Sequence, residues 1–498
     1  MSSSALETER TWRVGTAPSI FPSLAHGFAL FRRPLEFLNS LPAHGDLVEI
    51  RLGPLRAWVA CHPDLVHQML RDTRTFDKGG TQYDRLRLLL GDSVVTCPHT
   101  EHRRQRRLVQ HPFRPSRVAD YTELIGVEAQ LACRDWRAGQ QVDVSAALLA
   151  MTTRVISRVL FSDSLDAATA GEVRRCLADV VRGLFLRTLV PVDAVFRLPT
   201  PANRRYRNAV ARLRTIVDGV IAERRRSARG PGAVPRDDVL QTLLDAARED
   251  GDGLPAASEQ DVHDQLITLL LTGVETVSLC LSSAFGLLAR NSEAERRLHA
   301  ELDAVLAGRA RPAPDDLPRL VHTRSVVTET LRHSPPGWLF TRATTRDTVL
   351  AGHRLAKGSM VLYSPYLLHH DAASFADPDR FLPERWLPGQ APPGRQGAMI
   401  PFAAGSRKCL GDAFAMTEAT VALATLAGRW RLRLPPGPCE RQRPAVTLGP
   451  RRLVMTCELR AGRTAATPAH GDAPTLPADG AFRAPDARTA GGPGADDA

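Results

Sequence analysis

One cysteine in this 498-residue chain stands among neighbours that could make its sulfur a metal ligand. In Pro401-Phe402-Ala403-Ala404-Gly405-Ser406-Arg407-Lys408-Cys409-Leu410-Gly411, Cys409 lies between glycines, just before a helical pattern opening near Asp412. A thiolate on iron must be ionised, shielded from water and surrounded by N–H donors that restrain its charge. Gly405 and Gly411 let the backbone fold tightly around the sulfur, the helix N-terminus favours the anion, and Phe402 shields the metal. An inert buried cysteine after a Gly-rich turn is the plain alternative. A second group is Thr272-Gly273-Val274-Glu275-Thr276, where an acid beside a hydroxyl in an apolar helix can organise a proton relay through water. A third is Glu329-Thr330-Leu331-Arg332, whose acid and base share a helical face and can pair. His102 and Arg106 lie one turn apart and suit a buried anion; with Arg103, Arg104 and Arg107 they also read as a solvated basic helix.

The Phe-x-x-Gly-x-Arg-x-Cys-x-Gly spacing resembles the ligand loop of the cytochrome P450 family, and the other groups follow in that family's order over about residues 20–460. The resemblance implies haem b with its iron ligated by Cys409, in a loop that includes Phe402, Gly405 and Gly411. It implies propionate contacts from His102, Arg106, Arg342 and Arg407. Arg385, in Pro383-Glu384-Arg385-Trp386, would join Glu329 and Arg332 in a cluster that holds the ligand loop in place. Gly273 would leave room for oxygen, Thr276 would hydrogen-bond it, and Glu275 would supply protons. Two positions depart from the family pattern: Thr272 replaces a small residue, and Val277 replaces a common Thr or Ser.

The elements that must position these groups are mostly helical. Periodic Ala/Leu/Arg patterns predict helices at 120–137, 143–160, 204–226 and 236–248, with the longest at 261–290 and another ending near His333. Short strands are expected at 46–52 and 57–60 and from 348 to 362, an irregular Pro- and Asp-rich stretch at 376–404, and a last helix at 412–429. The architecture is therefore mainly α with a minor β component. It divides into an irregular lead-in (1–30), one large domain (31–460) with the family's fold, and an Ala/Gly/Pro-rich tail (461–498) too poor in apolar groups to fold.

Composition narrows the function. The net charge of +11 is almost all arginine, since lysine occurs only at 78, 357 and 408, and the arginines are dispersed with few aromatics between them. Nucleic-acid binding is not indicated. The eight cysteines include no Cys-x-x-Cys pair, which argues against a zinc module or a secreted disulfide framework. No uninterrupted apolar run approaches a membrane span and no secretory signal is evident, so a cytoplasmic protein without a membrane segment is expected. Segments that line the family's pocket offer Leu88 to Leu90, Leu269, Leu270, Thr272, Trp338, Leu339, Phe340 and Thr447, a greasy set suited to an apolar ligand. Further stretches, among them Arg197-Leu198-Pro199-Thr200-Pro201 and Tyr363-Ser364-Pro365-Tyr366, resemble actinomycete sesquiterpene oxidases of this family. The resemblance thus implies a monooxygenase that uses O2 on a terpene, with electrons from a ferredoxin and its reductase. A peroxide-using peroxygenase and a non-catalytic recruiting module are the alternatives, and the retained Glu275-Thr276 and Cys409 speak against both.

Overall fold

The computed structural model describes residues 11–460 except 20–21, 163, 190–192, 229–235, 249–255, 391–393, 396 and 437–442. The expectations for residues 1–10 and for a tail at 461–498 fall outside the described residues. The elements used below are β1 (Val14–Thr16), α1 (Pro22–Arg32), β2 (Leu47–Leu52), β3 (Leu55–Ala60), β4 (Phe76–Asp77) and α2 (His99–Gln110). They continue with α3 (Val144–Phe161), α4 (Glu259–Leu288), α5 (Val321–His333), β5 (Phe340–Thr344), β6 (Met360–Tyr363) and α6 (Asp412–Arg429).

The longest helix, α4, starts where its sequence stops it fraying. Ser258 accepts from the Asp261 backbone N–H at 3.0 Å, and the Asp261 carboxylate accepts from the Ser258 N–H at 2.9 Å, a reciprocal cap. Burial alone would raise the Asp261 pKa, but hydrogen bonds from Arg104, Gln105 and Ser258 outweigh it and hold the carboxyl well below its usual range. That contact also ties α2 to the start of α4. Farther along, Thr152 of α3 donates to the Val274 carbonyl at 3.0 Å, and a Cβ on Gly273 would lie 2.9 Å from Ile156 Cδ1. Gly273 therefore serves the close approach of α3 and α4. Together with α5 and α6 these helices contribute to the largest apolar core. Both α3 and α4 are long and apolar enough to cross a membrane, unlike the reading from uninterrupted runs, yet most of each is buried inside the protein.

Six strands form one sheet in the order β1-β2-β3-β6-β5-β4. Residues 11–30 are thus not all irregular, since β1 pairs in parallel with β2 (Val14 opposite Leu47) and α1 follows. Three residues carry too little alternation to reveal a strand, and the partner lies about thirty positions on. In the sheet, β5 runs antiparallel to β6 with Arg342 opposite Val361, and β4 sets Asp77 opposite Ala343. Strand pairing thus brings Asp77 and Lys78 beside Arg342.

Candidate active site

The loop before α6 is held by its own backbone. The Cys409 N–H donates to the Phe402 carbonyl at 2.9 Å, Ala403 N–H to Ile400 at 3.0 Å and Lys408 N–H to Gly405 at 3.1 Å. The chain reverses through left-handed Ala403 (φ 58°) and Gly405 (φ 70°). A Cβ on Gly405 would come within 2.2 Å of the Leu70 carbonyl oxygen, so only glycine fits. Gly411 precedes α6 and differs: no protein atom would meet its Cβ within 4 Å, and it borders a cavity.

That cavity, with about 1590 Å³ of empty space including its open mouth, separates α4 from the loop. Of the residues singled out by sequence, His102, Arg106, Leu269, Thr272, Gly273, Thr276, Phe340, Arg342, Phe402, Arg407, Cys409 and Gly411 line it. Cys409 is exposed to this space, and the protein packed around it pushes its thiol up by desolvation, against the lowering effect of the Gly411 N–H. Leu270, Trp338, Leu339, Glu275, Thr447 and Gly405 are not among the lining residues. Trp338 instead packs in a separate core and donates its indole N–H to the Ala445 carbonyl at 3.0 Å. Leu270 is buried on another face of α4, while Leu88 is exposed. Apolar walls that the sequence did not single out come from Val94, Val95, Ile156, Val327 and Leu331.

One side of the cavity is crowded with cations. Arg407 donates to the Cys97 carbonyl at 3.0 Å and to Asp77 at 2.8 Å; Arg342 donates to the Tyr83 and Tyr363 hydroxyls at 3.2 and 3.3 Å. The buried Nε of each arginine has no hydrogen-bond partner. Lys78 reaches the Val95 carbonyl at 2.7 Å, and burial, then Arg407 and Arg342, push its pKa well down. His102 is driven down to about 3 by burial and then by Arg407, Lys78 and Arg106. Asp77 is the carboxylate that pairs with this cluster among the described residues. Orphaned buried donors and mutually repelling cations mark a place built for anions.

On the opposite wall α4 presents Leu269, Thr272, Gly273 and Thr276, one stripe of its surface. Thr276 donates to the Thr272 carbonyl at 3.0 Å, and Thr272 to the Thr268 carbonyl at 2.8 Å. Glu275 falls off the stripe, half-buried, and burial raises its pKa to about 7. The Thr447 hydroxyl lies near enough to pull it part-way back, without meeting full hydrogen-bond geometry. Thr447 belongs to a hairpin turn clamped on α4, where a Cβ on Gly449 would sit 2.8 Å from Leu279 Cδ2. So Thr447 sits with the acid, not on the cavity wall.

The cytochrome P450 family model matches residues 24–456. The chain belongs to this family. It is 48% identical to cyclooctat-9-en-7-ol 5-monooxygenase of Streptomyces melanosporofaciens, over 87% of this chain and 93% of that protein. It is 41% identical to pentalenene oxygenase of Streptomyces avermitilis, over 91% and 99%. In fold it is similar to a solved cytochrome P450 haem domain, cytochrome P450DA, with a TM-score of 0.78 at 24% identity, over 91% of this chain and 99% of that one.

As a cytochrome P450 the chain is a monooxygenase, with haem b held by a cysteine thiolate as its cofactor. The residues present fit such a group: a cysteine faces the cavity, a glycine leaves open space beside it, and a cationic rim with orphaned donors matches two buried carboxylates. Sequence reasoning missed Lys78, Tyr83 and Tyr363 in that rim. The scarcity of lysine in an arginine-rich chain is the signal that could have singled out Lys78.

Behind the cavity, Glu329 and Arg332 form a doubly bonded pair at 2.9 Å, both wholly buried. Arg385 approaches Glu329 only as an ion contact at 3.5 Å and spends its hydrogen bond on the Asp377 carbonyl at 2.8 Å. The Leu382 N–H (3.0 Å) and the Trp386 indole N–H (2.8 Å) complete the carboxylate. Trp386, rather than Arg385, is the second side chain with a true hydrogen bond to the acid.

Proposed function

We propose that Cys409 is the haem ligand and that this monooxygenase oxidises a terpene inside the cavity between the ligand loop and α4. The observation that carries the reading is one cavity bordered by Cys409, by the cationic rim and by Thr276. Arg342, Arg407, Arg106, Lys78 and His102 hold the propionates, the last as a neutral imidazole. When bound, haem supplies the activation of molecular oxygen for insertion into a C–H bond. The protein contributes position and protons. The Thr276 hydroxyl, parked on the Thr272 carbonyl, is free to turn into the cavity and offer its proton there. Glu275, with a pKa near neutrality, recharges it through water and is itself refilled from its partly exposed side. This acid–alcohol pair favours an O2-using enzyme over a peroxide-using one.

The apolar walls exclude water and orient a compact hydrocarbon skeleton. Of the two relatives, one is named for a hydrocarbon and the other for an alcohol, so both classes belong in a substrate panel. Electrons come from a ferredoxin and its reductase. An acidic ferredoxin would suit the chain's net charge of +11, and a soluble partner of that kind would place the enzyme in the cytoplasm. Two experiments test the reading. Haem-loaded protein reduced under carbon monoxide is expected to show the strongly red-shifted Soret band of a thiolate ligand; an imidazole-like band would remove Cys409 from its role. Incubation with terpene hydrocarbons, terpene alcohols, fatty acids and macrolides is expected to give terpene products, and turnover of macrolides alone would sink the substrate class.

A further inference from the structure

Among the described residues the buried Glu329–Arg332 pair makes no hydrogen bond to the ligand loop: Glu329 is bound by Arg332, Arg385, Leu382 and Trp386, and Arg332 otherwise by the carbonyls of His369, Pro378 and Arg380. We propose that His369 is the positioning residue that transmits the pair's rigidity to the Cys409 loop; this deepens, and rests on, the reading of Cys409 as the haem ligand. His369 is wholly buried, and it grips both sides. Its carbonyl accepts from Arg332 Nη1 at 2.9 Å, and its ring Nδ1 lies 3.2 Å from the Arg332 carbonyl. On the other side its Nε2 lies 3.0 Å from the Ile400 backbone nitrogen.

The partners fix the tautomer. A carbonyl oxygen can only accept, so Nδ1 carries the hydrogen; a backbone N–H can only donate, so Nε2 offers its lone pair. Burial, followed by the charges of His370 and Arg332, holds the ring down at about 3, so it stays neutral and keeps that polarity at physiological pH. Phe375 packs edge-on against the ring at 6.4 Å and also lies under the Arg332 guanidinium, which fixes the ring's plane.

From Ile400 the path to the sulfur is short and continuous. The Ile400 carbonyl accepts from Ala403, whose left-handed conformation turns the chain, and Phe402 accepts from the N–H of Cys409 itself. Ile400 is thus held at both its N–H and its C=O, one by His369 and one by the loop. Without the imidazole acceptor its buried N–H has no replacement partner, and the residue that sets the loop's entry is released.

Three variants of the full chain, loaded with haem, test this. His369→Leu removes both ring contacts. His369→Asn keeps a donor near the Nδ1 position but cannot reach Ile400. His369→Gln is long enough to accept from Ile400. Supporting partners of a metal ligand typically shift affinity by roughly 10–100-fold, so faster haem loss of that order is expected in the Leu and Asn variants. In both, a fraction of the reduced carbon monoxide complex should move from the thiolate-type band toward the neutral-thiol type, and Gln should restore most of both properties. If Leu does not fold, Asn carries the test, because it leaves the Arg332 side intact. A His369→Asn protein with wild-type haem loss and a wild-type spectrum would overturn the proposal. Failure of the ligand assignment would instead appear in the wild-type spectrum itself.

Discussion

Two buried arginine clusters in this enzyme differ in how their charge is met. Arg332 donates to both oxygens of Glu329 and to the carbonyls of His369, Pro378 and Arg380, at 2.7 to 3.0 Å. Its guanidinium is satisfied by protein alone. Arg342 and Arg407 are also buried, yet each keeps an orphaned Nε; Arg407 pairs with Asp77, while Arg342 has hydroxyl and carbonyl partners but no carboxylate among the described residues. A native protein tolerates buried charge when it is paired; the first cluster meets that need within the fold, whereas the second sets Arg342, Arg407 and Lys78 against the single carboxylate of Asp77 among the described residues, the excess of cations that a binding site for anions requires.

The largest expected effect breaks the self-sufficient cluster. Arg332→Met leaves the Glu329 carboxylate wholly buried without its main partner, which costs about 3–5 kcal/mol. Thermal unfolding of the haem-free protein should show this as a large fall in Tm, and an unchanged Tm would place the pair outside the stability of the fold. The next effect sharpens the contrast. Arg342→Met removes a cation with no carboxylate partner from a rim already crowded with charge. Haem-free stability should hold or rise slightly, while haem transfer to a scavenger protein should quicken by roughly 10–100-fold, as for other supporting partners of a metal site. Equal losses in haem-free and haem-loaded protein would mean that the rim, like Arg332, merely holds the fold.

This contrast was only half legible in the sequence. The cysteine loop, the Glu-x-x-Arg pair and the acid–alcohol pair are local patterns, and the roles of Gly273, Glu275 and Thr276 followed from the family resemblance those patterns carry. Helix existence was likewise readable from apolar periodicity, with opening acids marking the longest helix at 261–290; the structure starts α4 at Glu259, behind the Ser258 cap. What remained hidden depends on chain segments brought together from afar. Lys78 and Asp77 reach the rim only because a two-residue strand pairs with β5. The Trp386 indole replaces Arg385 as the closer partner of Glu329 because of a short turn in an irregular stretch. Gly273 reads as space for oxygen, yet its missing side chain is also what lets Ile156 of α3 approach. Trp338 and Leu339, beside a true wall residue in sequence, belong to a different core, and the Trp338 indole is tied there to the Ala445 carbonyl, more than a hundred positions along the chain.

A third charged group falls between the two clusters and gives the smallest effect. Glu275 is half-buried with no arginine or lysine among the causes of its shift, so its pKa rises to about 7 from an ordinary value of 4.5. Between those values the unfolded chain has already released its proton while the native state retains it. The native state binds more protons there, and stability must fall as pH rises through that window. With its partial exposure discounted, the loss amounts to roughly 1–2 kcal/mol. Glu275→Gln is neutral at every pH and should flatten that slope, as read by denaturant unfolding from pH 4 to 8. The same titration bears on catalysis, because the proton donor is the protonated form. Turnover through this route should decline above about pH 7 in the wild type, and the Gln variant should be slower by roughly a hundredfold with that inflection gone. A variant that loses the stability slope but keeps wild-type turnover would make Glu275 a buried acid without a part in proton delivery. Thr276, still able to draw protons from water in the cavity, would then have to work alone.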